Sequence, residues 1–159
     1  MKNIAIFWFR RDLRLNDNKG LFFALSENEN VLPIFIFDPE ILSQLQKNDP
    51  RVQFIFETIG GLNILLAKKG KRIHLFHEKP ISIFEKLLKK YAITIVYTNH
   101  DYEPYALKRD LEVATFLKKN NIAFKTYKDQ VIFEKNEIVK ADSNPYLVYT
   151  PYKLSLIHI

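Results

Sequence analysis

Ile4-Ala5-Ile6-Phe7-Trp8-Phe9, followed at once by Arg10-Arg11-Asp12-Leu13-Arg14, decides how this chain folds. Six consecutive apolar residues, most of them β-branched or aromatic, leave no polar face, so the run reads as a strand buried on both sides. Such a strand suits a parallel sheet covered by helices front and back. Four further runs share its character: Val31–Phe37, Ile73–Phe76, Ile93–Thr98 and Ala123–Tyr127.

Helical patterns lie between them. Val52, Ile55, Ile59, Leu62 and Leu66 recur at three- and four-residue steps, as do Phe84, Leu87, Leu88 and Tyr91. Leu107, Leu111, Ala114 and Leu117 make a further stripe, and Leu21–Leu25 predicts a shorter helix. Pro80 and Pro104 stand where a first helical turn tolerates proline. Gly60 and Gly61 conflict with the helix they interrupt, at about 1 kcal/mol each relative to alanine. Nothing in the sequence explains them. Strand–helix alternation with right-handed crossovers implies an α/β fold: a doubly wound five-stranded parallel sheet with helices on both faces. After Tyr127 the pattern dissolves into a short extended segment, Val131–Phe133, then polar residues and Asn144-Pro145. Residues 1–130 are therefore expected to form the α/β domain and 131–153 the start of a connection.

A chain of 159 residues, 47% apolar and 26% charged, is one globular domain rather than a disordered or membrane-embedded segment. A net charge of +6 and a pI near 9.4 favour anionic partners by long-range steering. Lys68, Lys69, Lys71, Lys86, Lys89, Lys90, Lys118 and Lys119 scatter along helices, however, and read better as solvated faces and last turns than as a nucleic-acid patch. There is no cysteine, hence no disulfide or thiolate chemistry. The apolar run at Ile4–Phe9 is too short for a signal-peptide core or a membrane span, so a cytoplasmic location without membrane association is expected.

Ligands of open α/β sheets sit at the carboxyl ends of the strands. The loops there carry Arg10, Arg11, Asp12 and Arg14; Asp38-Pro39; and Asn99, His100, Asp101, Tyr102 and Glu103. None of the four glycines forms a dinucleotide or phosphate loop. No Ser/His/Asp arrangement emerges, and His74, His77 and His100 read as structural rather than as metal ligands. Neither a catalytic residue nor a metal site is expected in this chain. For Arg10, Arg11, Asp12 and Arg14, a salt-bridge network pinning the loop is favoured over an anion site, because guanidinium forks pair bidentately with carboxylates.

Trp8 through Asn18, WFRRDLRLNDN, closely resembles the opening signature of the photolyase/cryptochrome family. Phe35–Pro39 with Ile41-Leu42, and Asp49, Arg51, Val52 and Phe54, are similar to its second strand and next helix. Asp101–Ala106 with Arg109-Asp110 resembles the segment after its fourth strand. Asp129, Val131–Phe133, Asn144–Tyr146 and Tyr149–Tyr152 resemble its exit toward a helical domain. The matches run in family order from Lys2 to about Lys153. Lys19-Gly20 departs from them, standing where the family often has proline and alanine.

The resemblance implies a two-domain flavoprotein. Its C-terminal helical domain holds FAD and docks damaged DNA with a pyrimidine dimer flipped out; excited reduced flavin lends the electron that splits the dimer. The FAD pocket and the DNA groove belong to that domain, so this fragment alone is expected to be inactive, and the parent to be a monomer. The α/β domain carries an antenna chromophore, a folate or a deazaflavin. By position Glu103 is the leading antenna contact, its carboxylate suited to the paired N–H donors of an aminopterin edge. Asp38, Arg51 and Asp101 are further candidates, from the deazaflavin-binding members. Glu103 also reads as a charge favourable to a helix's first turn.

The parent is expected to be a deoxyribodipyrimidine photolyase that repairs DNA; a cryptochrome photoreceptor is the alternative, since the deciding residues lie in the helical domain. A stand-alone nucleotide- or flavin-binding module is disfavoured by the missing glycine-rich loop and by the exit segment. Trp8, the single tryptophan, is expected in the core. Leu154–Ile159 departs from the family's continuation and reads as the translated end of a transposase-derived sequencing adapter, so these six residues are expected to be non-native. The face that would meet the helical domain is expected to be exposed and prone to associate.

Overall fold

The computed structural model describes residues 3–134 and 136–158; Met1, Lys2, Lys135 and Ile159, the last residue of the expected tail, lie outside the described residues. In chain order the elements are β1 (Asn3–Phe9), α1 (Lys19–Glu27), β2 (Val31–Phe37), α2 (Pro39–Leu42), α3 (Pro50–Ala67) and β3 (His74–His77). They continue with α4 (Pro80–Lys90), β4 (Ala92–Asn99), α5 (Pro104–Lys119), β5 (Ala123–Tyr127) and α6 (Tyr149–Ser155). The strands form one sheet in the order β3-β2-β1-β4-β5, every neighbouring pair parallel. The order reverses at β1/β4, so the loops leaving those two strands part in opposite directions at the sheet's carboxyl edge.

Period-two alternation sorts the side chains. Ile6 and Trp8 of β1 enter one core with Ile34, Ile36 and Val96, under Phe84 and Leu87 of α4 and Val113 and Leu117 of α5. Ala5, Phe7 and Phe9 enter the other with Phe35 and Tyr97, under Leu21 and Ala24 of α1 and Ile59 of α3. The register of β4 against β1 slips between Ile4 and Ala5, whose partners are Ile93 and Ile95. That irregularity lets Ile93 share a core with Val96 while Ile95 faces the other way.

The local signals for helix starts are used. Asn18 caps α1, its side chain accepting from the Leu21 amide at 3.0 Å, and Asp49 caps α3, accepting from the Arg51 amide at 2.9 Å. Pro50, Pro80 and Pro104 open α3, α4 and α5. The short helices α2 and α6 carry no sequence periodicity and are additions to the expected set. Val131–Phe133 joins no strand. A Cβ at Gly60 or Gly61 would meet nothing within 4 Å, so no packing constraint accounts for either glycine.

The stripe expected on α5 is corrected. Leu111 is 70% exposed and Leu107 44%, while the buried face is Ala106, Arg109, Val113 and Leu117. A charged residue occupies the central inward position, which conceals this face from any apolar count. No helix among the described residues is long and apolar enough to cross a membrane.

Candidate functional site

Two features of the carboxyl edge involve or adjoin the candidate residues, a charge network and a cleft. The first is a network at the switch point. Arg10, at the end of β1, is buried; its Nη1 donates to both carboxylate oxygens of Asp110 on α5, at 2.6 and 2.7 Å. Its Nε donates to Thr98 Oγ1 at 2.9 Å and its Nη2 to the Asn99 carbonyl. Arg109, equally buried, shares Asp110 at 3.2 Å and lies 3.9 Å from Asp101. The two guanidinium groups flank the Trp8 indole at 5.1 and 5.0 Å from its centroid. Burial, and next the Arg10 charge, hold Arg109 below the ordinary guanidinium range, opposed by Asp110 and Asp101. Trp8 is in the core, 2% exposed.

Asp12 accepts from the Arg10 amide at 2.8 Å and from Asn99 Nδ2 at 2.5 Å. Asn99 Nδ2 also donates to Asn18 Oδ1, and Asn99 Oδ1 accepts from the Gly20 amide at 2.9 Å. A Cβ at position 20 would come within 2.6 Å of that oxygen and 3.0 Å of the Phe7 ring. The Lys19 amide donates to Asp129 Oδ1, a bond that proline could not make. Lys19-Gly20 thus fits its own surroundings. Arg14 Nη2 reaches Asp129 Oδ2 at 2.7 Å, and Arg11, mostly exposed, reaches Glu103 at 3.3 Å and Asp101 at 3.6 Å. Every one of Arg10, Arg11, Asp12 and Arg14 is thus engaged by protein partners.

The second feature is a cleft of about 690 Å³ beside the ends of β2 and β3. Phe37, Leu42, Leu45, Val52 and Phe56 give it an apolar lining, and Gln46, Asn48, Asp49, Gln53 and His77 supply polar groups. Such a size and composition suit one drug-sized ligand. Asp49 is clamped by Arg51, with Nε and Nη2 at 2.9 and 2.7 Å from its two oxygens. That hydrogen bonding, first from the Arg51 side chain and then from its amide, lowers the Asp49 carboxyl to about 2.

The candidate residues therefore fall into two groups. Asp38 and Arg51 flank the cleft without lining it. Asp38 is buried, capping α2 and accepting from the Tyr105 hydroxyl at 2.6 Å. Burial and then Asp38 push the Tyr105 phenol above its ordinary range, so it remains a donor. Asp101 and Glu103 sit apart with Arg11; Glu103, with its side chain 66% exposed, makes no capping bond to α5. Phe56, Gln46 and Gln53 went unnoticed in the sequence, and His77 was read there as structural. The helix start expected at Asp49 and Arg51 pointed to their neighbourhood, and Arg51 was itself a candidate antenna contact. Among the described residues, no three His, Asp or Glu side chains are grouped to hold a metal.

The parallel order β3-β2-β1-β4-β5 with its reversal at β1/β4 makes this a doubly wound α/β domain, a class in which ligands sit at the carboxyl edge. The family described as DNA photolyase matches residues 5–156, and the chain belongs to that family. It is 33% identical over 147 residues to a deoxyribodipyrimidine photo-lyase of Synechococcus sp., covering 92% of this chain and 30% of that protein. To cryptochrome-2 of Gallus gallus it is 25% identical over 150 residues, covering 94% and 26%. Among solved structures it resembles the archaeal photolyase of Sulfolobus tokodaii, described with two FAD molecules and the implication of a novel light-harvesting cofactor. The TM-score is 0.78 at 30% identity, over 98% of this chain and 35% of that one. The chain spans roughly a third of the length of these relatives and corresponds to the N-terminal α/β domain of photolyases and cryptochromes.

Proposed function

We propose that this chain is the antenna-chromophore domain of a deoxyribodipyrimidine photo-lyase, a carbon–carbon lyase that repairs pyrimidine dimers in DNA by light. In this reading residues 1–130 form the antenna unit, and 131–153 begin the connection to a helical FAD domain that meets damaged DNA. The parent is a cytoplasmic monomer, and this portion alone has no repair activity. The similarity to a cryptochrome keeps a blue-light receptor as the second reading.

The observation that carries the proposal is the cleft. Its apolar lining suits the faces of a planar fused ring, with Phe56 and Phe37 providing aromatic contact. Gln46, Gln53 and Asn48 can hydrogen-bond a polar ring edge, and Arg51 keeps Asp49 ionised and oriented. Among the antenna classes of the family, this favours a deazaflavin or flavin over a folate. Glu103 with Asp101 remains the contact that a pterin would use, but it is solvent-exposed and engaged with Arg11. When bound, the chromophore supplies light absorption; the residues named here supply its seat.

The test is a fluorescence-anisotropy titration of the chain with FAD, a deazaflavin and a methenyl folate. Flavin-type binding is expected, weakened about tenfold by Phe56→Ala, equivalent to about 1.4 kcal/mol, and unchanged by Glu103→Gln. Folate binding that is lost in Glu103→Gln and indifferent to Phe56→Ala would overturn the cleft as the seat. Binding of none of the three would overturn the antenna reading itself.

A further inference from the structure

In parallel β-α-β units each helix runs back against its strands, so every helix ends at the sheet's amino edge. Three helices of this chain end, or hand over to the next strand, in cations: Lys68, Lys69, Lys71 and Arg72 between α3 and β3, Lys89 and Lys90 on α4, and Lys118 and Lys119 on α5. In sequence these are separate groups; the topology gathers them on one pole. All eight are exposed. Among the described residues, none of the eight makes an ion pair within 4 Å.

Convergence shows at His74, the first residue of β3. Its imidazole is held below its ordinary pKa by burial and then by the charges of Arg72 and Lys90, which arrive from different elements. The nearby acids are few. Glu27 at the end of α1 is tied to Lys125 at 2.6 Å and to Tyr97, with Glu29 beyond it and Glu85 one turn before Lys89 on α4. The opposite pole is built otherwise: Arg10, Arg11, Arg14, Arg51 and Arg109 are all paired with carboxylates there. Lys19 and Lys47 also lie at that pole without an ion pair among the described residues, against eight unpaired cations at the amino edge.

We propose that the amino edge of the sheet is a sequence-independent docking surface for the phosphate backbone of duplex DNA. The cations run from the β3 side to the β5 side, four strand spacings or roughly 19 Å, a span of about five phosphates along one strand at about 3.4 Å each. Seven of the eight are lysines, point charges that neutralise phosphate without the planar fork that reads a base edge. No aromatic or aliphatic residue interleaves them within Lys68–Arg72, Lys89–Lys90 or Lys118–Lys119; the exposed Ile64 and Leu65 lie one turn earlier on α3, and the vesicle arm of the test reads whether they seat this edge on a bilayer. The choice of DNA as the polyanion rests on the proposed DNA-acting parent. The surface would hold a second stretch of duplex, remote from the lesion.

The test uses the whole chain with a fluorescently labelled, undamaged duplex oligonucleotide in the dark, across salt from about 0.05 to 0.2 M. Each phosphate neutralised contributes about −0.9 to the slope of log K against log salt. One variant carries Lys68→Gln, Lys69→Gln, Lys71→Gln and Arg72→Gln; a charge-matched control carries Lys19→Gln, Lys47→Gln, Lys108→Gln and Lys153→Gln. Circular dichroism confirms that both fold. The pole variant is expected to flatten the slope by about 2 to 4 and to lose at least about tenfold in affinity at low salt, with the control little changed. Equal losses in both variants, no loss in either, or preferential binding of RNA or of phosphatidylserine vesicles would each overturn the proposal. The chromophore titration reads the cleft independently, so the two readings can fail separately.

Discussion

Removing the Asp110 carboxylate tests whether the switch-point network holds the two halves of the sheet together. Asp110 is the shared anion for two buried cations: Arg10 at 2.6 Å and Arg109 at 3.2 Å. Its side chain is 18% exposed and that of Arg10 7%, so solvent screens the pair poorly. In Asp110→Ala, Arg10 keeps Thr98 and the Asn99 carbonyl but loses its charge partner, and Arg109 keeps only Asp101 at 3.9 Å. Breaking a buried pair by deleting one member costs about 3–5 kcal/mol, because the remaining charge stays buried. For a chain of this size each kcal/mol moves the Tm by about 2–4 °C, so a fall of about 6–20 °C is expected in thermal unfolding followed by circular dichroism. Asp110→Asn keeps acceptor and shape and should fall between that variant and the parent chain. Replacing Arg10 by Met alongside Asp110→Ala should recover part of the loss, with a coupling of at least about 1.5 kcal/mol. A change below about 1 kcal/mol for Asp110→Ala would refute the network as a stabilising element.

Other expectations follow from single positions. Gly60→Ala and Gly61→Ala meet open space, so each should stabilise α3 by about 0.4–1 kcal/mol, read as a raised denaturant midpoint. Gly20→Ala should instead cost about 1–3 kcal/mol, because its Cβ presses on Asn99 Oδ1, and the cost should shrink in an Asn99→Ala background. A carboxyl-carbon NMR titration should place Asp49 near 2, and Arg51→Gln should move it up toward the ordinary carboxylate range. Because the folded-state value is the lower one, the Asp49–Arg51 clamp supports the α3 start above about pH 4, and that support is lost as pH falls toward 2. A titration midpoint near 4 in the parent chain would show that the clamp does not persist in solution.

The fold class was legible because its signals are local. Unbroken apolar runs such as Ile4–Phe9 mark strands buried on both faces, and Pro80 and Pro104 mark the first turns of α4 and α5. Three- and four-residue spacing located α3 and α4 and their buried faces. It misjudged the face of α5, where the inward position belongs to Arg109, a residue no apolar pattern marks. Strand order, too, is not written in any local window: β4 returns beside β1 across the whole first half of the chain. The pairing of Arg10 with Asp110, a hundred positions apart, exists only once β1 and α5 are packed together. The cleft is likewise a product of assembly, drawing Phe37 from a strand, Leu45 from a loop, Phe56 from a helix and His77 from another strand. The sequence by itself determined the five strands and the four longer helices, α1, α3, α4 and α5, since backbone preference and side-chain periodicity act over a few residues. Tertiary structure alone decided which charges meet, which remain unpaired and where a ligand has room, because those depend on distances between segments remote in the chain.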